Sequence, residues 1–169
     1  MDFDAAFKAL LGNEGGYQCD AADRGNWTGG EVGKGLLRGT CWGISAAQYP
    51  GEDILRMTPE RARQLYLRDY WGPAGCDSVP GLLRFDLFDT AVHTGTVRAV
   101  MLLQEAAGVA VDGKLGPVTL QAVSTGNPWR LVARLNGARL RYAAANPQQW
   151  AAFGRGWALR IAGNLLRGD

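Results

Sequence analysis

Apolar residues recur along most of this chain at helical spacing, and one glycine-rich stretch interrupts that rhythm. Phe3, Phe7, Leu10 and Glu14 stand four, three and four residues apart. That spacing predicts a helix over residues 3–14 that carries all four side chains on one stripe and is ended by Gly15 and Gly16. From 15 to 45 the rhythm is lost, with glycine at 15, 16, 25, 29, 30, 33, 35, 39 and 43. Such a density predicts turns and a short hairpin in place of helix. Helical periodicity returns at Thr58-Pro59, an N-cap followed by proline at the first helical position, and runs through ERARQLYLRDYW. A second helical run, LLRFDLFDTAVH, follows Pro80 and is broken by Gly95. TVRAVMLLQEAA at 96–107 ends at Gly108, and the turn DGKLGP at 112–117 leads into the short helix PVTLQAV. Asn127-Pro128 and Asn146-Pro147 open two last helices. The pattern predicts a mainly α chain with one irregular, glycine-rich lobe near its N-terminus, to which any strand is confined.

One residue breaks the pattern. An acid on an apolar stripe loses hydration, and desolvation disfavours the charged carboxylate, so on a helix through 3–14 Glu14 would have a raised pKa. The negative partial charge of the helix C-terminus acts in the same direction. A carboxylic acid that stays protonated near neutral pH suits glycosidic cleavage, in which the leaving oxygen must receive a proton. Two glycines beyond it let the chain turn sharply and a sugar ring approach closely. Tyr17 and Trp27 then supply flat apolar faces. Asp20, Asp23 and Thr28, which lie six, nine and fourteen residues after Glu14, supply acceptors. Each has a plainer reading: an acid before Gly-Gly as a rim residue at a helix end, and Asp20 and Asp23 as Asx-turn residues. Tyr66, Tyr70, Trp150 and Trp157, at helical spacing, read mostly as core.

Composition narrows the chemistry. Hydrophobic residues make up 47% and charged residues 20% of 169, and no apolar run approaches the ~18 residues of a membrane span. MDFDAAFK lacks the basic and apolar regions of a secretory signal. Cys19, Cys41 and Cys76 share no C-x-x-C spacing, so they read as plain thiols, and His93 is the only histidine. Hydrolysis by this chain is therefore expected to run on carboxylates, without a metal or cofactor. The net charge of +2 conceals a basic C-terminal part: residues 121–169 hold seven Arg and one Asp, leaving −4 for residues 1–120. That surface favours anionic envelope components as partners, although solvated helix faces explain it equally well. The arginines follow no nucleic-acid-binding motif, and no nucleic acid is expected as a partner.

EGGYQCDAADRGNWT followed by GTCWGIS resembles the glycoside hydrolase family 108 lysozymes, N-acetylmuramidases found as phage endolysins and in related bacterial release systems. LYLRDYW, FDTAVHTG, LLQEAAGVAVDGKLGPVTLQA and FGRGWALR extend the resemblance over nearly the whole chain, the later ones matching a part described as peptidoglycan-binding. The resemblance implies a lysozyme-like single domain, with a catalytic part over 1–92 and a helical, peptidoglycan-binding-like part over 93–169 packed into the same unit. It implies Glu14 as general acid, Asp23 as second carboxylate and Thr28 as the residue that positions water. Tyr17, Asp20, Trp27, Trp42, Tyr70 and Trp71 become candidate substrate contacts. The chain departs from the family at Ala21, where proline is usual, at His93, where asparagine is usual, and in a longer loop between Thr28 and Gly43 that is expected to form a hairpin. The expected reaction is hydrolysis of the β-1,4 bond between N-acetylmuramic acid and N-acetylglucosamine in bacterial peptidoglycan. A lytic transglycosylase and a non-catalytic wall-binding module are the alternatives. A monomer held in the host cytoplasm until a holin-like pore or another export route admits it to the periplasm and cell wall is the expected setting.

Overall fold

The computed structural model describes residues 1–12 and 16–167. It holds α1 (Phe3–Leu11), β1 (Tyr17–Gln18), β2 (Thr40–Cys41), β3 (Ile44–Ser45), α2 (Pro59–Tyr66), α3 (Gly81–Thr94), α4 (Thr96–Ala107), α5 (Pro117–Thr125), α6 (Pro128–Ala144) and α7 (Pro147–Leu166). Short 310 turns and one π-helical turn lie between them. By packing, the chain forms two compact units, Met1–Ala6 with Arg68–Asp169, and Phe7–Leu67. Residues 92 and 93, where the sequence reading placed its division, lie inside α3.

Helix starts follow the capping residues read from the sequence. Thr58 Oγ1 accepts from Arg61 N at 3.2 Å, Asn127 Oδ1 from Arg130 N at 3.0 Å, and Asn146 Oδ1 from Gln149 N at 3.1 Å. Each bond satisfies a backbone donor that the first helical turn leaves open. Helix ends agree at Gly95 and Gly108, both with positive φ. The first helix differs. It stops at Leu11, with Gly12 at φ 60 and its N–H on Lys8 O. Gly12, not Gly15-Gly16, ends α1, because an unsubstituted Cα takes the left-handed conformation without steric cost. The stripe on α1 comprises Phe3, Ala6 and Phe7, and the expected extension to Glu14 falls outside the described residues.

In the larger unit, α3 is buried on almost every side and packs on α4 and α6. Asp89 on α3 accepts from Arg139 Nη1 at 2.6 Å, from Arg160 Nε at 2.8 Å and from Asn164 Nδ2 at 2.7 Å, which ties α3 to α6 and α7. At the opposite end Gln104 clasps the DGKLGP turn. Its Oε1 accepts from the Asp112 and Gly113 amides at 3.0 and 2.9 Å, and its Nε2 donates to Asp112 Oδ1 at 2.7 Å. The helix expected to continue to Trp71 changes character after Tyr66 into a π-turn over Leu67–Trp71. Its wider turn carries both Tyr70 and Trp71 inward. Trp71 meets Phe3 and Phe88 edge to face, with centroids 5.3 and 5.5 Å away.

The smaller unit is built on Phe7, Ile44, Ile54, Met57, Leu65 and Tyr66, with the Phe7 and Tyr66 rings 5.5 Å apart. Its three strands form one antiparallel sheet in the order β1-β2-β3. The Thr28–Gly43 excursion is mostly turns. It is pinned by Thr28 N to Leu36 O at 2.9 Å and Gly29 N to Lys34 O at 3.1 Å, and the regular hairpin is β2–β3.

Candidate active site

The smaller unit gathers most of the candidate residues around one buried side chain that sequence reading missed. Asn26 donates from Nδ2 to Asp20 O at 3.0 Å and accepts at Oδ1 from Thr40 Oγ1 at 2.8 Å. Its backbone carbonyl accepts from Arg38 N and Gly39 N at 2.8 and 3.1 Å. A buried carboxamide satisfied on both ends links the acid-bearing turn to β2. Every partner is distant in sequence or is a backbone group, so nothing in R-G-N-W marked it.

Asp20 and Asp23 share one tight turn, closed by Asp23 N donating to Asp20 O at 3.1 Å. Asp20 Oδ1 accepts from Ala22 N at 2.8 Å in an Asx-turn. Asp23 Oδ1 accepts from Gly25 N at 2.8 Å and caps the 310 turn Arg24–Asn26. Both side chains are exposed, and each commits one oxygen to a backbone donor. Trp27 folds back on this turn, its Nε1 donating to Ala21 O at 2.9 Å. Its ring is half-buried and braces the acids. Thr28 Oγ1 accepts from Leu36 N at 2.8 Å, so the hydroxyl expected to hold water also holds the loop.

Tyr17 is 43% exposed and lines a cleft of about 400 Å³ together with Leu37, Arg38, Asp53 and Leu55. Gly39 makes this placement possible: at φ 80, a Cβ there would stand 2.4 Å from Gln18 O and 2.8 Å from the Tyr17 ring. A hydrogen bond with the Cys19 side chain is the main cause raising the Tyr17 phenol above its ordinary pKa. Arg38 and Asp53, also absent from the sequence reading, add the charged groups of this cleft. Trp42 stands at the β2–β3 turn with φ 52, followed by Gly43 at φ 73. Positive φ at both central positions is the type I′ pattern, which favours Asn-Gly. A half-buried tryptophan at the first of them is held there against a cost of roughly 1–3 kcal/mol, the kind of strain that clusters at binding sites.

Two candidate contacts are core residues. Trp71 is 1% exposed and Tyr70 is buried, so neither ring offers a face to a sugar. The π-turn that carries them inward is the reason. Among the described residues the Trp71 Nε1 finds no hydrogen-bond partner. His93 is also structural: its Nδ1 accepts from Arg139 Nε at 3.2 Å and its ring lies 5.1 Å from Trp157. Burial, then the Arg139 and Arg160 charges, push its pKa down to about 4. Glu14 lies outside the described residues.

Residues 7–95, just over half of the chain, match the family described as Glycosyl hydrolase 108. The chain belongs to glycosyl hydrolase family 108. Residues 98–162 match the family described as Predicted Peptidoglycan domain. Among solved structures, the chain is similar to SagA of Brucella abortus, with a TM-score of 0.80 and 29% identity over 98% of this chain and 92% of that one. No curated protein matches it. The fold of this family 108 hydrolase is mainly α and lysozyme-like, and the two family matches together make it a peptidoglycan-degrading glycoside hydrolase.

Proposed function

We propose that this hydrolase is a muramidase, cleaving the β-1,4 bond between N-acetylmuramic acid and N-acetylglucosamine with Glu14 as general acid. The observation that carries the reading is the Asp20–Asp23 turn: two exposed carboxylates fixed by backbone donors in the lobe matched to glycosyl hydrolase 108. Glu14 precedes this turn in the E-G-G-Y stretch, and Tyr17, directly after the two glycines, opens onto the 400 Å³ cleft. In this reading Glu14 protonates the leaving oxygen and Asp23 activates or orients the attacking water, the two-carboxylate division of labour of glycosidases. Thr28 assists from the loop it closes, and Tyr17, Asp20, Trp27 and Trp42 contact the glycan. The work is done in the cell wall, which the protein reaches from the cytoplasm through a holin-like or other export route.

The test is Glu14→Gln. The variant should keep the wild-type circular dichroism and melting temperature while release of reducing ends from purified walls falls roughly 10²–10⁴-fold, the usual worth of a general acid. Wild-type rates in this variant would overturn the assignment. Mass spectrometry of the wild-type digest should show reducing muramic ends; anhydro-muramic ends would replace hydrolysis with transglycosylation.

A further inference from the structure

A cation stands in the cleft beside Tyr17, where neutral sugar rings alone would not call for one. Among the described residues that line this space of about 400 Å³, Arg38 is the cation and Asp53 the acid, while Tyr17, Leu37 and Leu55 expose apolar surface. Arg38 is fixed firmly at its backbone. Its N–H donates to Asn26 O at 2.8 Å, and Gly39 follows at φ 80, packed against Tyr17 and Gln18. Asn26 also holds Asp20 O, so one buried carboxamide sets Arg38 and the acid turn in place together. The Arg38 guanidinium, by contrast, is held loosely. Its Nη1 donates to Pro50 O at 3.4 Å, beyond the roughly 2.7–3.2 Å of an ordinary N–H to O bond, and among the described residues the side chain makes no other hydrogen bond and no ion pair. Arg61 of the same unit shows the opposite case, its guanidinium taken up by both Glu52 oxygens. Asp53 does not neutralise Arg38 by contact; its Oδ1 accepts from Arg56 N at 3.3 Å and caps the 310 turn Ile54–Arg56.

The two sugars of the glycan differ in one substituent. N-acetylmuramic acid carries a lactyl ether, whose carboxyl group is ionised in a bare strand and joined to the stem peptide by an amide in a substituted one. In the substituted strand the next carboxylate along this arm is the α-carboxylate of D-glutamate. A planar guanidinium with donors to spare suits such a carboxylate through paired, charge-assisted hydrogen bonds. Leu37 and Leu55 offer apolar surface to the lactyl or alanyl methyl group next to it. Asp53 repels an anion and accepts from an amide N–H, which turns the arm so that its carboxylate faces Arg38. A strand of N-acetylglucosamine alone presents no anion to this cation. We propose that Arg38 is a specificity determinant of the cleft, selecting the muramyl residue through a carboxylate on its lactyl arm. The proposal rests on the reading above that seats the glycan in this cleft, and names the group by which the two alternating sugars are told apart.

Titration of the full chain with the disaccharide N-acetylglucosaminyl-β-1,4-N-acetylmuramic acid, followed by NMR, tests it, because this disaccharide contains no bond that a muramidase cleaves. The free acid should bind roughly tenfold more tightly than its lactyl N-methylamide or than chitobiose. Arg38→Met keeps the length of the side chain and removes the charge, so it should bring all three to one affinity, and Arg38→Lys should restore part of the preference. A second arm uses the disaccharide extended by L-Ala and γ-capped D-Glu, with the α-carboxyl group free or amidated. A preference that Arg38→Met abolishes in the first arm assigns the lactyl carboxylate, and one abolished in the second assigns the glutamate. No measurable binding, equal affinity of wild type for acid and amide in both arms, or preferences that all survive Arg38→Met would overturn the proposal; the wild-type comparison carries the test if the variant does not fold. Cleavage is read separately, as reducing muramic ends released by wild type from peptide-free strands. If those ends are missing while the Arg38-dependent preference is present, the muramidase reading falls and recognition of the muramyl carboxylate stands.

Discussion

At the scale of single residues, the two loop acids allow chemistry to be separated from structure. Asp23 caps a 310 turn and Asp20 closes an Asx-turn, each through one side-chain oxygen that accepts from a backbone N–H. Asparagine retains such an acceptor and removes only the charge. Asp23→Asn should therefore leave the melting temperature within about 2 °C of wild type, consistent with an unbroken cap, while kcat falls about a hundredfold or more. Asp20→Asn, a substrate contact in this reading, should raise KM and leave kcat nearly unchanged. Steady-state kinetics on soluble glycan oligomers distinguish the two, and equal kcat in both variants would remove Asp23 from the reaction. The sequence singles out both acids by their spacing after Glu14 and by the family resemblance, beside the plainer Asx-turn reading that their hydrogen bonds match. Sequence reading missed Asn26, whose role arises only when Asp20, Thr40 and Gly39 are brought together. Trp27 was recognised as an aromatic of the lobe, but its hydrogen bond to Ala21 O, which turns it toward the acids as a brace, depends on the fold of the turn.

Elements were legible wherever a local rule decided them. Thr58-Pro59, Asn127-Pro128 and Asn146-Pro147 start helices because cap and proline act within one turn, and no tertiary contact overrides them. Two boundaries were misread for the opposite reason. Gly12 and Gly15 both offer a C-terminal stop, and periodicity alone does not say which is used. The π-turn at Leu67–Trp71 places the Trp71 ring between Phe3 and Phe88, a preference of packing that α-periodicity does not express. The DGKLGP turn was legible as a turn, but the side chain that secures it was not. Gln104 sits on α4 and satisfies two turn amides and Asp112 Oδ1. Gln104→Leu keeps the volume and removes every one of these bonds, so it should lower unfolding stability by about 2 kcal/mol, within the 1–3 kcal/mol usual for stranded buried polar groups. Chemical denaturation measures the loss, and hydrogen exchange at Asp112 and Gly113 should quicken well beyond the global change. Slow exchange at both amides in the variant would mean that the turn holds itself.

For the whole molecule, the basic C-terminal charge proves smaller at the surface than a count of residues suggests. Arg139 is fully buried on Asp89, Arg160 pairs with the same carboxylate, and Arg141 pairs with Glu105. Much of the +6 of residues 121–169 thus faces acids from the preceding part of the chain. These buried groups also set how stability depends on pH, and they oppose one another. Burial pushes the Asp86 carboxyl up to about 6 against the pull of its hydrogen bond from Asn136, so the folded state holds a proton there that the unfolded chain, with an ordinary value of 3.8, has released. Its contribution is complete below 3.8 and lost as pH rises through about 6. His93, lowered to about 4 from an ordinary 6.5, acts the other way: stability is present above 6.5 and lost as pH falls toward 4. The two spans nearly coincide, so unfolding stability should be almost flat between pH 6.5 and 4. Below that, Asp89 takes over. Burial alone would raise its carboxyl, but the Arg139 and Arg160 charges and their hydrogen bonds bring it to about 2, so stability falls as pH drops from 3.8 toward 2. Asp112, lowered chiefly by its hydrogen bond from Gln104, adds to the same acid loss. His93→Asn keeps an acceptor for Arg139 Nε and removes the titrating ring, which should expose the Asp86 contribution: the variant should gain stability between pH 6.5 and 4 where wild type does not. Urea denaturation at pH 7, 5, 4 and 3 measures both curves. Parallel curves for wild type and variant above pH 4 would show that the imidazole and the Asp86 carboxyl do not offset each other.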